Sequence, residues 1–391
     1  MTAISRVSRS FTNIVGDLTR DLPQSLSPNA FGLLACSPEA NAGEVAAGLQ
    51  AALPFPVVGG STWAQPFEPR DEDVSARLTI VQRQGLKFAA SVSPPLQKSD
   101  SRRQMAELFR DCEARLGERP KLLLAFLPML PDLAAELYLP FLFEAAEGLP
   151  VFGGMTSDDY TPGRSLTLAG GRAYADRMVL VGLGGEVEPV FAARCELNLS
   201  TEYLPTVTEV DGCTLRRVDD MTLCDYLAAQ GFDTANERLL AGWPLTLEVR
   251  GRRPPVEGLA DTCDLLKLNL ADGSGLVANH IPEGARIGLG IMGKSGILKT
   301  TRECLEDILG QVEDGRARGR HYSVLFCLPC IARYFIMVGD DEQAGERVKA
   351  AAPEDLALFG YYGFNEVCPA PLPGGRRENL MLGDSVIMCA F

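Results

Sequence analysis

The order strand, helix, glycine-ended strand, polar stretch, hairpin occurs three times along the chain, and nothing else in the sequence restricts its fold as much. FGLLACS leads through a helical stretch at residues 42–52 to PFPVVGGSTWAQ and two hairpin-like strands that end near Val92. KLLLAFLPML, a helix over residues 133–147 and LPVFGGMTSDDY repeat that order, with strands following up to Leu183. YSVLFCLPC, a helical stretch at 340–352, LALFGYYGFNEV and DSVIMCAF repeat it again. Residue identity between the three is low, so what recurs is organisation. Such alternation predicts an α/β (α+β) protein: two related layered domains of mixed β-sheets flanked by helices and built from strand-helix-strand-hairpin units. A chain of 391 residues exceeds what one hydrophobic core usually covers. A boundary is expected within residues 186–205, where VEPVFAARC gives way to ELNLSTEYLP. This gives an N-terminal segment, 1–29, read as a short amphipathic helix, and two halves at 30–195 and 205–391.

FGLLAC, KLLLAFL, RMVLVGL, WPLTLEV, DLLKLNL, ARIGLGIM, YSVLFCL and DSVIMCAF carry strand signals. Ser101 with Gln104, and Thr300 with Glu303, read as capping boxes ahead of amphipathic helices. Gly59-Gly60, Gly153-Gly154 and Gly360 each follow a buried-looking strand, where glycine allows positive φ or close backbone approach. They read either as simple tight turns or as supports that display the following polar residues at a strand end, where α/β proteins bind ligands.

The net charge of −14, with short and scattered basic clusters, argues against a nucleic-acid partner. No apolar run approaches the roughly 20 residues that would imply membrane insertion. The eleven cysteines sit mostly in apolar surroundings and read as small buried hydrophobes in a reducing cytoplasm.

FCLPCIAR, residues 326–333, places Cys327 and Cys330 two residues apart at the end of a strand. The spacing fits a dithiol catalyst, half a metal site, or coincidence. The following ARYFIMVGDD reads as a strand at least as well as the helix a dithiol site requires, and no second cysteine pair completes a zinc site. No Walker loop or HExxH pattern is present. No metal site is expected.

LPVFGGMTSDDY, VTEVDGCTLRRVDDMTLCDYLAAQGF, NHIPEGARIGLGIM, FCLPCIAR and LFGYYGFNEV, in that order, resemble the FIST family, the two-part sensory module of bacterial signalling proteins. The resemblance implies a cytoplasmic sensor without catalytic activity. It would bind a small molecule, such as an amino acid, and report to a separately encoded signalling protein such as a kinase or cyclase. Cys330 and Arg333 fall on the family's Cys-x-x-Arg and Glu366 on its acid. Asn365 replaces a glycine at a position where asparagine tolerates positive φ. Arg333 and Glu366 would hold a zwitterion between walls formed by Tyr361 and Tyr362, or else form a buried structural ion pair. Gly153, Gly154, Asp158 and Asp159 make the second candidate group, the acids reading as ligand contacts or as a solvated loop. Some family members bind haem, which would need His280 or His321; neither lies in an attachment sequence, and no cofactor is expected. The competing function is a thiol-disulfide oxidoreductase using Cys327 and Cys330.

Overall fold

The computed structural model describes residues 3–23, 26–27, 29–68, 73–130, 133–158, 164–199, 203–234, 245–250, 256–337, 344–372 and 377–391. Three of its four sheets are built on one plan. In the first, β1 (Ala3–Ser8) is the edge, and α1 (Ile14–Thr19) returns the chain to β2 (Phe31–Cys36). The helix α2 (Ala42–Ala52) then crosses to β3 (Val57–Ser61), parallel to β2, while β4 (Ala76–Val81) lies antiparallel between β1 and β2.

The second sheet repeats this with β5 (Leu86–Val92), α3 (Ser101–Leu116), β6 (Leu122–Leu127), α4 (Leu139–Ala146) and β7 (Val151–Met155). A short hairpin, β8 (Thr167–Ala169) and β9 (Arg172–Tyr174), leaves its own sheet to pair with β3 of the first. The strand β10 (Val179–Gly185) then lies antiparallel between β5 and β6. β11 (Val190–Arg194) begins the third sheet.

The chain next forms a separate antiparallel sheet from β12 (Asn198–Leu199), β13 (Val207–Asp211), β14 (Thr214–Val218), β15 (Met221–Thr222), β16 (Leu245–Arg250), β17 (Thr262–Asn269), β18 (Ser274–Val277) and β19 (Arg286–Ile291). α5 (Leu223–Ala229) covers it, and its core is its own, centred on Leu215, Leu247, Ile287 and Leu289. The long α6 (Lys294–Ala317) leads back to β20 (Val324–Pro329), α7 (Ile331–Ile336), α8 (Ala344–Ala351) and β21 (Ala357–Gly360), parallel to β20. The hairpin β22 (Phe364–Pro371) and β23 (Arg377–Leu382) pairs with β7 of the second sheet, and β24 (Val386–Ala390) lies between β11 and β20.

The equivalence of the three units is visible in single bonds. Thr62 N donates to Cys36 O at 2.9 Å, Thr156 N to Leu127 O at 2.9 Å and Gly363 N to Pro329 O at 3.1 Å, each at the same step past a parallel pair. Strand alternation sorts the side chains. Leu33, Leu124 and Phe326 face one shared central core, whereas Leu34, Leu123 and Leu325 face the helices of their own units. Burial on both faces explains why these strands read as continuous apolar runs.

Two sequence expectations need correction. The N-terminal segment is not a helix throughout: residues 3–8 form the edge strand β1, and only Ile14–Thr19 is helical. The run after Cys330 is the helix α7, not a strand. The division near residues 195–205 does coincide with a change of sheet, yet β11 and the β22–β23 hairpin both pair across it.

Glycine is required where the parallel strands touch. Gly59 and Gly153 have φ of 156° and 149°, and a Cβ there would fall inside the van der Waals shell of Leu34 O and Ala125 O; Gly360 meets Cys327 O in the same way. Gly153→Ala should therefore cost about 3 kcal/mol or more in chemical denaturation, combining a disfavoured backbone with a backbone clash. A loss below about 1 kcal/mol would show that the strands can separate without penalty.

Candidate functional site

The residues expected to carry function gather where the fourth sheet meets the third unit. Cys330 ends β20 and stands at the N-cap of α7; its N–H donates to Ser385 O at 2.9 Å, and it bridges to Gly363. β22 starts beside it. Asn365 adopts φ 50°, as its substitution for glycine anticipates, and its amide oxygen accepts from Asn279 Nδ2 of the fourth-sheet region at 3.0 Å. Glu366 follows, paired in register with Gly154.

Asp384, at φ 51°, lies in the turn between β23 and β24. Its neighbour Gly383 lies directly against β17, where a Cβ would come 2.8 Å from Thr262 Oγ1. That approach brings Asp264 of β17 to the cluster: ligand atoms of Asp264, Cys330 and Asp384 all lie within 4.8 Å of one another.

Glu366 is fully buried. Ser385 Oγ donates to its Oε2 at 2.8 Å, and its Oε1 has no hydrogen-bond partner among the described residues. Loss of solvent pushes its pKa well above the usual carboxylate range, the Ser385 bond opposes that shift and Asp384 reinforces it. Burial likewise pushes the Cys330 thiol up, aided by the carboxyls of Glu366, Asp384 and Asp264. The result is a largely buried, acid-rich seam in which a negative charge on Glu366 is costly.

Arg333 lies apart from this chemistry. Its Nη2 donates to Ile297 O and Thr300 Oγ1 at 2.8 Å and to Thr301 Oγ1 at 2.9 Å, while Nη1 donates to Asp384 O at 3.2 Å. These are protein acceptors, so the guanidinium clamps α6 to the turn that carries Asp384, and it forms no ion pair with Glu366 among the described residues. The arrangement also revises the reading of Thr300 as a cap: α6 begins at Lys294, and Thr300 lies inside it, holding Arg333.

The aromatic pair divides. Tyr361 is a core residue that donates to Gly154 O at 3.0 Å and packs on Phe126 and Phe326. Tyr362 packs at a tilt against Tyr334 and lines, with Arg333 and Cys327, an apolar cavity of about 10 Å³, room for a water at most. Gly153 and Gly154 support the sheet behind Glu366. Asp158 is buried rather than solvated; Asp159 lies outside the described residues. The polar stretches after the three glycine strands lock together instead of displaying a site: Ser157 Oγ donates to Tyr362 O, Ser157 N to Ser61 O and Tyr362 N to Thr62 Oγ1.

α7 does open at Cys330, as a dithiol site needs, but the thiols have the wrong character. Burial pushes Cys327 up to about 12 and Cys330 up as well, whereas a nucleophilic cysteine is one whose pKa is depressed. His280 Nδ1 donates to Gly212 O at 2.7 Å, and His321 is an exposed residue ahead of β20. Sequence reasoning missed Asp264, Asn279 and Asp384. Gly383-Asp384 is a turn signal that could have marked one of them; nothing local marks the other two.

A thiol reagent should label Cys213 and Cys224 in the native protein and reach the other nine cysteines, all buried, only on unfolding. Fast native labelling of Cys327 or Cys330 would overturn the burial argument. A second expectation concerns pH. The folded pKa of Glu366 lies above its ordinary value of 4.5, so the protonated form favours folding. Its stabilisation is complete below that value and lost as pH rises through the folded pKa, by at most about 1.4 kcal/mol per pH unit. Glu366→Gln should remove this component, flattening the pH–stability curve relative to wild type; parallel curves would contradict it.

Residues 30–221 match the family model described as the FIST N domain. No curated protein matches the sequence. Among solved structures, the cyanuric acid hydrolase from A. caulinodans is similar at 8% identity and a TM-score of 0.37, covering 99% of this chain and 97% of that one. A second structure, titled "Cyanuric acid hydrolase: evolutionary innovation by structural concatenation", is similar at 9% identity and a TM-score of 0.30, covering 66% and 83%. These distant likenesses bear on no residue of the site. Through the matched residues 30–221, this chain belongs to the FIST family.

Proposed function

We propose that the protein is a sensor that binds a small cationic ligand at the seam between the fourth sheet and the third unit, performs no covalent chemistry, and passes occupancy to a separate signalling partner. The observation that carries this reading is Glu366, fully buried with an oxygen lacking a hydrogen-bond partner among the described residues and near enough to act electrostatically on Cys330 and Asp384, two members of the Asp264–Cys330–Asp384 group. An uncompensated buried acid is expensive, and an incoming positive charge removes the expense. With Arg333 committed to α6, an amino acid would enter by its ammonium end, and its carboxylate would need another donor.

Output follows from which elements share the site. Asp264 belongs to a sheet with its own core, whereas Cys330, Glu366 and Asp384 belong to the interlocked three-unit body. A ligand held by both favours the arrangement in which they are closest, and it shifts the population by its differential affinity for that arrangement. The eleven cysteines are all free, in keeping with the reducing cytoplasm we assign to the protein.

A thermal-shift screen of amino acids, simple amines and metal cations tests the reading. A ligand at a hundredfold excess over its Kd should add about 2.7 kcal/mol, a rise of several degrees. Glu366→Gln should fold with an unliganded melting temperature no lower than wild type at neutral pH and lose most of that rise. A cation-induced rise retained in full by Glu366→Gln would place the site elsewhere, and the absence of any rise in wild type would contradict the sensor reading.

A further inference from the structure

We propose that the seam is a binding site for a thiophilic divalent cation of the zinc class, with Cys330 Sγ and carboxylate oxygens of Asp384 and Asp264 as ligands and Glu366 as the fourth. This deepens the preceding reading and rests on it, because it names the chemical class of the cation that the seam takes.

Three segments far apart in sequence converge here: the end of β20, the β23–β24 turn and the fourth sheet's β17. They bring one sulfur and two carboxylates within 4.8 Å of one another. Cys330 and Asp384 are buried, and Asp264 is half-buried, so the cluster has one side toward solvent through which an ion can enter. An acidic cluster alone would mean little. Here the independent sign is Glu366, whose Oε1 has no hydrogen-bond partner among the described residues while Ser385 fixes its Oε2. Ser385 is also the neighbour of Asp384 and the acceptor for the Cys330 N–H, so one residue orders three of the four groups.

The donor set selects the ion. Calcium takes six to eight oxygens and magnesium an octahedron of oxygens, neither of which this cluster offers, and a thiolate is a poor partner for both. Zinc accepts sulfur at about 2.3 Å and carboxylate oxygen at about 2.0–2.2 Å in a tetrahedron, which needs four groups of this kind. On binding, the Cys330 S–H proton and the Glu366 carboxyl proton pass to solvent and a lone pair from each ligand atom goes to the ion, with no change of oxidation state. Ligand atoms at those radii stand about 3.3–3.6 Å apart, which the grouping within 4.8 Å admits. Since Asp264 is attached to the fourth sheet, an ion shared by these ligands ties the sheet to the three-unit body. An ammonium group could satisfy the carboxylates but would leave the thiol without a role.

Cobalt(II) is the probe, added to the full chain after treatment with a chelator. The expected result is about one Co²⁺ per chain, with a near-ultraviolet sulfur-to-cobalt charge-transfer band that Zn²⁺ abolishes by displacement. Cys330→Ser, nearly isosteric, should lose the band while retaining the wild-type circular dichroism spectrum. Asp264→Asn, at the solvent side and tolerant of folding, should weaken cobalt binding at least tenfold. Cys213→Ser, outside the cluster, should leave the band unchanged. A folded wild type without the band, or a band that survives in Cys330→Ser, overturns the proposal. If amines raise the melting temperature through Glu366 while cobalt gives no band, the metal assignment falls and the sensor reading stands. If neither binds, both fall.

Discussion

Phe326 packs on Phe126, Phe152, Phe359 and Tyr361, with ring centroids between 4.7 and 6.4 Å; this contact joins the second and third sheets, Leu33 of the first completes the same core, and the remainder of the molecule depends on it. Each ring buried here is worth about 1.5–3 kcal/mol, and no single unit could bury its share alone. The central strands are apolar on both faces because one face meets this common core and the other meets the unit's own helices. Cys327 belongs to the helix side and Cys330, one step past the strand, to the seam, so two cysteines that look paired in sequence serve different surroundings.

The units are fastened further by exchange. The β8–β9 hairpin of the second unit completes the first sheet, and the β22–β23 hairpin of the third completes the second. At the first–third junction, buried Glu68 gathers Arg77, Arg9 and Lys349. Against this interlocked body the fourth sheet stands out by its separate core; among the described residues its ties include the Cys195–Leu259 bridge, the Asn279–Asn365 pair and the contact of Gly383 with Thr262. An acid-rich seam at such a junction is where the proposed cation would act on both parts at once.

Much of this was legible in the sequence. The threefold order of elements, the eight strand runs and the glycines that close each parallel pair all follow from strand alternation and from the space a Cβ would need. Asn365 was readable because few residues other than glycine accept its backbone. The N-terminal strand was not, since its pairing partner β4 lies some seventy residues away and its alternation is weak. The site was half legible. Cys330 and Glu366 stand in recognisable segments, but Asp264 and Asp384 reach them only through the docking of a turn against another sheet, and that contact leaves no local pattern. Arg333 reads in the sequence as a ligand contact or as the partner of Glu366, yet its bonds go to the hydroxyls and a carbonyl of α6 and to Asp384 O, which only the packing shows.

Function in this reading rests on a mechanical relation: four acidic or thiol groups, three on the three-unit body and one on a separately cored sheet, that the proposed cation would hold together. Hydrogen exchange of the full chain with and without saturating Zn²⁺ tests that relation most directly. The account predicts slower exchange confined to residues 262–265 and 383–386 and to the start of α7, with the central strands β2 and β6 unchanged. Zinc that binds while leaving exchange at 262–265 unaltered would contradict it.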